Sequence, residues 1–248
     1  MTTPVVVHTL RAAALAASLL LTAHGRRARQ RRRGRAVTEH ALLRRRDVLA
    51  AWAGASLLTA SARAAAPMSP LDIRVTDAAG KPVSGAVVFL DSPQAREQVR
   101  PLAGAEVAQA ERRFVPAVSV VTVGTSVTFP NIDTVRHHVY SFSPVKRFEI
   151  KLYVGTPTAP VVFDQPGIAV LGCNIHDQMA AWIVVVATPW FGRTDDAGRW
   201  AAASAPPGRY TLRAWHAGMP VGAAPLERAL TVDAAGARAV VTLPSVKA

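Results

Sequence analysis

Phe163 to Val186 reads FDQPGIAVLGCNIHDQMAAWIVVV, and its punctuation decides the fold. Gln165-Pro166-Gly167 is a turn signal, and the apolar run Ile168–Leu171 after it reads as a strand that ends at Cys173. A short polar loop carries His176 and Met179, and a second apolar run, Ala181–Ala187, leaves it. Outward in both directions the pattern repeats. Runs rich in Val, Ile, Thr and Phe predict strands over Asp72–Thr76, Ala86–Leu90, Ser119–Val123, Ser126–Phe129, His137–Phe142, Arg209–Trp215 and Ala239–Leu243. Turn signals separate them at Asp77–Gly80, Pro130-Asn131, Pro206–Gly208 and Asp233–Gly236. Short strands at this spacing imply an all-β sandwich. The polar, alanine-rich stretch Gln94–Arg112 shows no strand pattern and reads as a loop or short helix.

The hairpin loop also gathers metal donors. Cys173, His176 and Met179 stand at steps of three, placing a thiolate, an imidazole and a thioether on one tight turn. Soft sulfur suits Cu(I), imidazole suits both Cu(I) and Cu(II), and a weak axial thioether tunes a potential, so the set points to one copper ion. Zinc prefers a second thiol or a carboxylate, and a dinuclear copper site wants two thiolates where the chain has a single cysteine. A further imidazole is required. It stands in FPNIDTVRHHVYSF, Phe129 to Phe142, as the pair His137-His138.

These two phrases resemble the cupredoxins of plastocyanin and pseudoazurin type. The resemblance runs through Val123-Gly124, Val127, Phe129 and Asn131, then His137-His138-Val139, then Pro166-Gly167, Cys173, His176 and Met179. It covers about residues 113–190 and looks closest to periplasmic plastocyanin-like proteins often labelled methylamine-utilisation proteins. It implies a Greek-key β-sandwich and a mononuclear copper site held by Cys173, His176, one of His137 and His138, and an axial Met179. It further implies a non-enzymatic carrier of single electrons. Electrons would pass by the edge of His176, near an apolar patch of Pro144, Ala180 and Ala181, to redox partner proteins met in transient contacts. Two departures matter. Only Asp177 and Gln178 separate His176 from Met179, a shorter loop than usual, which leaves Gln178 as a second axial candidate. Neighbours on a strand face opposite ways: the family match selects His137, whereas His138 shares a face with Tyr140 and Phe142 that reads as the core side. Copper storage or delivery, and a non-redox binding module, are the alternative functions. His216 and His40 have no partner in sequence.

A second resemblance lies outside that segment. VTDAAGKPVSGAVVFL (Val75–Leu90) and TDDAGRWAAASAPPGRYTLRAW (Thr194–Trp215) resemble the prealbumin-like, carboxypeptidase-regulatory sandwich modules. In this reading residues 70–92 and 192–246 form one small sandwich, with Val87, Phe89, Tyr210 and Leu212 turned into its core, and the cupredoxin domain at 98–190 is inserted in it or joined to it.

The charge places the protein. The chain has 29 Lys+Arg against 16 Asp+Glu, but residues 1–66 hold 12 of those basic residues and only Glu39 and Asp47 as acids. The remainder is nearly balanced, so a nucleic-acid face is not expected. Arg45-Arg46-Asp47-Val48-Leu49, an apolar run to Leu58 and the small residues around Ala62–Ala64 form the three regions of an export signal of twin-arginine type. Residues 1–64 are therefore expected to be a cleaved leader outside the fold. The mature protein is expected in the bacterial periplasm with no stable membrane span.

Overall fold

The computed structural model describes residues 67–200, 204–244 and 246; the expected leader, residues 1–64, lies outside them. The described chain begins with β1 (Ser69–Asp77), β2 (Val87–Asp91) and the short helix α1 (Pro93–Gln98). Its middle supplies β3 (Ala105–Glu106), β4 (Ala108–Ala110), β5 (Arg113–Val115), β6 (Val118–Thr122), β7 (Thr125–Thr128), β8 (His137–Ser141), β9 (Phe148–Tyr153), β10 (Val161–Phe163), β11 (Gly167–Gly172) and β12 (Ala180–Val186). Then come β13 (Phe191–Arg193), β14 (Arg199–Trp200), β15 (Ser204–Ala205), β16 (Gly208–Trp215), β17 (Leu226–Val232) and β18 (Ala237–Leu243). The fold is all-β, and its middle segment is a cupredoxin-like β-sandwich.

Four sheets of three or more strands stack in layers, and β4 and β5 form a separate two-stranded hairpin. The middle of the chain forms a five-stranded sheet, β6-β12-β11-β8-β9, facing a three-stranded one, β10-β7-β3. Between them lies a core of Val107, Val121, Val127, Phe129, Val139, Phe163, Leu171 and Ile183, which also contains Cys173 and Met179. Strands from both ends of the described chain form the other two sheets. In one, β1 pairs with β14, β15 and β18; the other has the order β13-β2-β16-β17. Their shared core includes Leu71, Ile73, Val88, Leu90, Trp200, Tyr210, Leu212 and Val241.

A third cluster joins these two pairs of layers. Val87 and Phe89 of β2 and Trp215 of β16 pack against Val184 and Val186 of β12. This explains why VVFL in β2 and WIVVV in β12 are unbroken apolar runs: successive side chains alternate between two apolar neighbours rather than between core and water. Along β12, Ala181, Ile183 and Val185 enter the cupredoxin-like core, while Val184 and Val186 enter the joint. The expectation for β2 is corrected in the same way. Tyr210 and Leu212 do fill the core of the outer sheets, but the β2 residues beside them are Val88 and Leu90, and Val87 and Phe89 face the joint.

Two further expectations need correction. Gln94–Arg112 does begin with helix α1, whose first turn is capped by Ser92 Oγ accepting the Ala95 N–H at 3.1 Å. It then contains β3 and β4, strands too short and too alanine-rich to carry a pattern. The edge strand β9, FEIKLY, also went unforeseen, because half-buried residues alternate there with exposed Glu149 and Lys151.

Ile183 is fully buried where β11, β12 and the opposing sheet meet. Its truncation to alanine should cost about 2–5 kcal/mol through lost burial and the cavity left behind. Urea unfolding should show a lower midpoint at unchanged slope.

Candidate metal centre

The cysteine of the hairpin and the first histidine of the remote pair converge. β8 and β11 are sheet neighbours, meeting at Tyr140↔Gly172. Because side chains alternate along each strand, His137 and Cys173 come to the same inner face. Cys173 Sγ lies 4.0 Å from His137 Nδ1 and 3.9 Å from His176 Nδ1. The two imidazole rings are 4.9 Å apart between centroids. All three donor atoms lie within 4.8 Å of one another. One ion with bonds of about 2.0–2.3 Å would draw the three donors together, by a few tenths of an ångström for each sulfur–nitrogen pair. Donor type agrees with donor spacing: one thiolate and two imidazoles suit copper.

His137 is fully buried and Cys173 nearly so, while His176 is partly exposed. His137 Nε2 lies 2.7 Å from Asp133 Oδ2. A carboxylate only accepts, so Nε2 carries the ring proton and the Nδ1 lone pair is turned toward the sulfur. Burial works to raise the Asp133 carboxyl, but hydrogen bonds from the Arg112 N–H, the His137 ring and the Glu111 N–H outweigh it and hold its pKa below the usual carboxylate value. Met179 is 2 % exposed in the same apolar core as Cys173, and its N–H closes the loop on the His176 carbonyl at 2.9 Å. Gln178, the other axial candidate, is exposed.

His138 is not brought to this cluster. It lies on the opposite face of β8, its ring 5.7 Å from that of Tyr140. Its Nε2 is 3.0 Å from Glu149 Oε1, but the angle makes no hydrogen bond. The expectation that the His138–Tyr140–Phe142 face is the core side is reversed. His137, Val139 and Ser141 are fully buried, whereas Phe142 is 71 % exposed. Of the expected surface patch, Pro144 and Ala180 are exposed but Ala181 is fully buried; Ile175 and Phe142 are exposed near the loop as well. His216 stands apart from the donor cluster, its Nδ1 accepting the Gly218 N–H at 3.0 Å, and burial lowers its pKa.

Several other residues frame the site; Asn131 stood in the family resemblance, whereas Tyr140, Gln109 and Tyr153 carried no functional signal in the sequence. Tyr140 lies across Gly172, where an added Cβ would come within 2.7 Å of the ring, so only glycine before Cys173 admits that ring. Asn131 ties down the loop that leads to His137: its amide donates to the carbonyls of Val135 and Tyr153 at 2.9 and 2.8 Å, and its Oδ1 accepts the Asp133 N–H. Tyr153 sends its hydroxyl toward Gln109 Oε1 and the Phe129 carbonyl, at 2.6 and 2.7 Å. A cavity of about 970 Å³ lies over the outer face of β8, β11 and β12, walled by Tyr140, Phe142, Val170, Trp182 and Trp215 and reaching Cys173.

No protein-family model and no curated protein sequence matches the chain. Among solved structures, part of the chain is similar to a copper-containing nitrite reductase from Thermus scotoductus SA-01. The identity is 26 % and the TM-score 0.32, over 36 % of this chain and 23 % of that one. The chain thus spans under a quarter of that reductase. It is also similar to a purple cupredoxin from Nitrosopumilus maritimus, at 20 % identity and TM-score 0.30, over 33 % of this chain and 99 % of that one. A methionine-to-leucine mutant of amicyanin, in its oxidized form, gives 21 % identity and TM-score 0.31 over 41 % and 99 %.

Burial pushes the Tyr153 phenol up to about 12; the hydrogen bond to Gln109 opposes the rise and the charge of Cys173 adds to it. An unfolded tyrosine ionises near 10, so between about pH 10 and about pH 12 the unfolded chain binds fewer protons than the folded one. Stability should therefore fall as pH rises through that window. Urea midpoints measured across it should decline more gently for Tyr153→Phe, which has no phenol to ionise.

Proposed function

We propose that this protein is a mononuclear copper protein of the periplasm that carries single electrons between redox partners. One observation carries the reading: a buried cysteine sulfur set between the Nδ1 atoms of two histidines, 4.0 and 3.9 Å away, at one end of a cupredoxin-like sandwich. Copper bound there supplies a one-electron couple, Cu(II)/Cu(I). The protein's own contribution is to hold Cys173, His137 and His176 in one arrangement for both oxidation states, which lowers the cost of reorganisation. Buried Met179 would supply a weak fourth donor in this reading, and His138 would stay outside the set of ligands.

Partners meet the protein in transient contacts at the partly exposed His176, where Ile175 and Phe142 add apolar surface. No bond chemistry on a substrate is assigned. Strands from the two ends of the described chain serve as a prealbumin-like module that supports the metal-binding sandwich. The periplasmic location rests on the leader sequence; among the described residues no helix is long and apolar enough to cross a membrane. The partial exposure of His176 also favours a second reading, copper storage or delivery, in which a metal enters and leaves by that edge.

Copper-loaded protein should bind one ion per chain and absorb strongly in the visible, and Cys173→Ser should abolish the band. A reversible one-electron wave in voltammetry supports the carrier. A coloured protein without such a wave favours delivery, and a colourless, copper-loaded wild type overturns the assignment.

A further inference from the structure

Asp133 lies within the phrase Phe129–Phe142 but is not among the residues singled out there, yet its carboxylate makes three hydrogen bonds beside the donor cluster. Its Oδ2 is 2.7 Å from His137 Nε2 and accepts the Arg112 N–H at 2.9 Å, while Oδ1 accepts the Glu111 N–H at 2.7 Å. Glu111 and Arg112 are the two central residues of the β4–β5 hairpin, which closes at Ala110↔Arg113. Both have positive φ, 51° and 56°. A two-residue hairpin turn of this hand normally recruits Asn or Gly, and side chains larger than these pay a conformational cost there. What this turn delivers is a pair of adjacent N–H groups aimed at one carboxylate. That carboxylate is held from behind by the hairpin and from its own loop by Asn131 Oδ1, which accepts the Asp133 N–H at 3.0 Å. It therefore has little freedom to do anything but face His137.

From this geometry we infer that Asp133 is the positioning residue of the metal centre, fixing His137 as the Nε2–H tautomer and lowering the reduction potential of a metal bound at Nδ1. The inference rests on the copper reading for its second half only; the tautomer is a property of the protein chain itself. The physical argument is direct. A carboxylate accepting the far N–H of a liganding imidazole raises the basicity of the near nitrogen. A more basic ligand favours the higher charge state, so Cu(II) gains over Cu(I). The arrangement is one-sided: among the described residues no hydrogen bond reaches the other ring nitrogen of His176. The two imidazoles thus have different tasks, with His137 buried and fixed and His176 left at the surface. The β4–β5 hairpin, whose first strand and turn fall in the segment expected to be a loop or short helix, is the support that makes the difference.

Two variants separate charge from geometry. Asp133→Asn keeps an oxygen that accepts the His137 proton but removes the negative charge; Asp133→Ala removes both. In metal-free protein, long-range proton–nitrogen NMR should show His137 protonated at Nε2 in wild type and in Asp133→Asn, and a mixture of tautomers in Asp133→Ala. Loaded with copper, Asp133→Asn should keep the one-ion stoichiometry and the visible band. Its affinity for Cu(II) relative to Cu(I) should fall about tenfold, which raises the potential by about 59 mV for one electron. An Asp133→Ala protein that retains a single Nε2–H tautomer overturns the positioning role, whether or not copper binds. A coloured Asp133→Asn protein with the wild-type potential overturns the tuning while leaving the copper assignment standing. A wild type that binds no copper removes that assignment and the tuning with it, and the NMR result still decides the positioning.

Discussion

Cys173 and His137 are 36 residues apart in the chain and 4.0 Å apart at their donor atoms. That approach depends on the pairing of β11 with β8, which meet only at Gly172↔Tyr140. A slip of one residue in either strand would turn a donor to the opposite face. The register is held by the apolar side chains around it. Val139, Ala169 and Leu171 are fully or almost fully buried on the same face as the donors, so the burial that stabilises the sheet also fixes the site.

The stiffness of the site comes from the layers behind it. β12 follows the donor loop directly and is buried on both faces, with Ile183 toward the core that holds Cys173 and Val184 and Val186 toward β2 and Trp215. A strand packed on two sides has little room to shift. The outer sheets are thus more than an appendage: their Val87 and Phe89 close the face of the five-stranded sheet that would otherwise meet water. Polar groups finish the frame. Asn131, Gln109, Tyr153 and Asp133 are each bound by other groups of the protein, as buried polar groups must be, and together they anchor the loop between β7 and β8 that leads to His137.

Legibility in the sequence followed how locally each feature is encoded. The strands with strong apolar runs or clean alternation, β2, β11, β12, β16 and β18, were readable to within a residue or two of their ends. The hairpin donors were readable because Cys173, His176 and Met179 sit in one loop. Strands β3, β4 and β9 were not readable: β3 and β4 are two and three residues long and alanine-rich, and β9 alternates half-buried with charged, exposed residues. The pattern of the residues alone did not decide between His137 and His138, although the family match selected His137. Alternation says that they face opposite ways but not which way is inward, and the apolar look of Tyr140 and Phe142 pointed to the wrong side. Those rings face the cavity and the surface; the inner face is taken by smaller Val139 and Ser141, where the opposing sheet leaves less room.

The sequence by itself determined the class of fold, the presence of a sulfur-and-imidazole loop, and the softness of the ion that such a loop prefers, because each of these is written in residues close together. Tertiary structure decided which imidazole stands beside the sulfur, which nitrogen of it faces that sulfur, and which carboxylate meets its other nitrogen. Those three facts depend on groups brought from β4–β5, from the loop after Asn131 and from β11. Their distances are set by packing and register, and no short stretch of chain contains them.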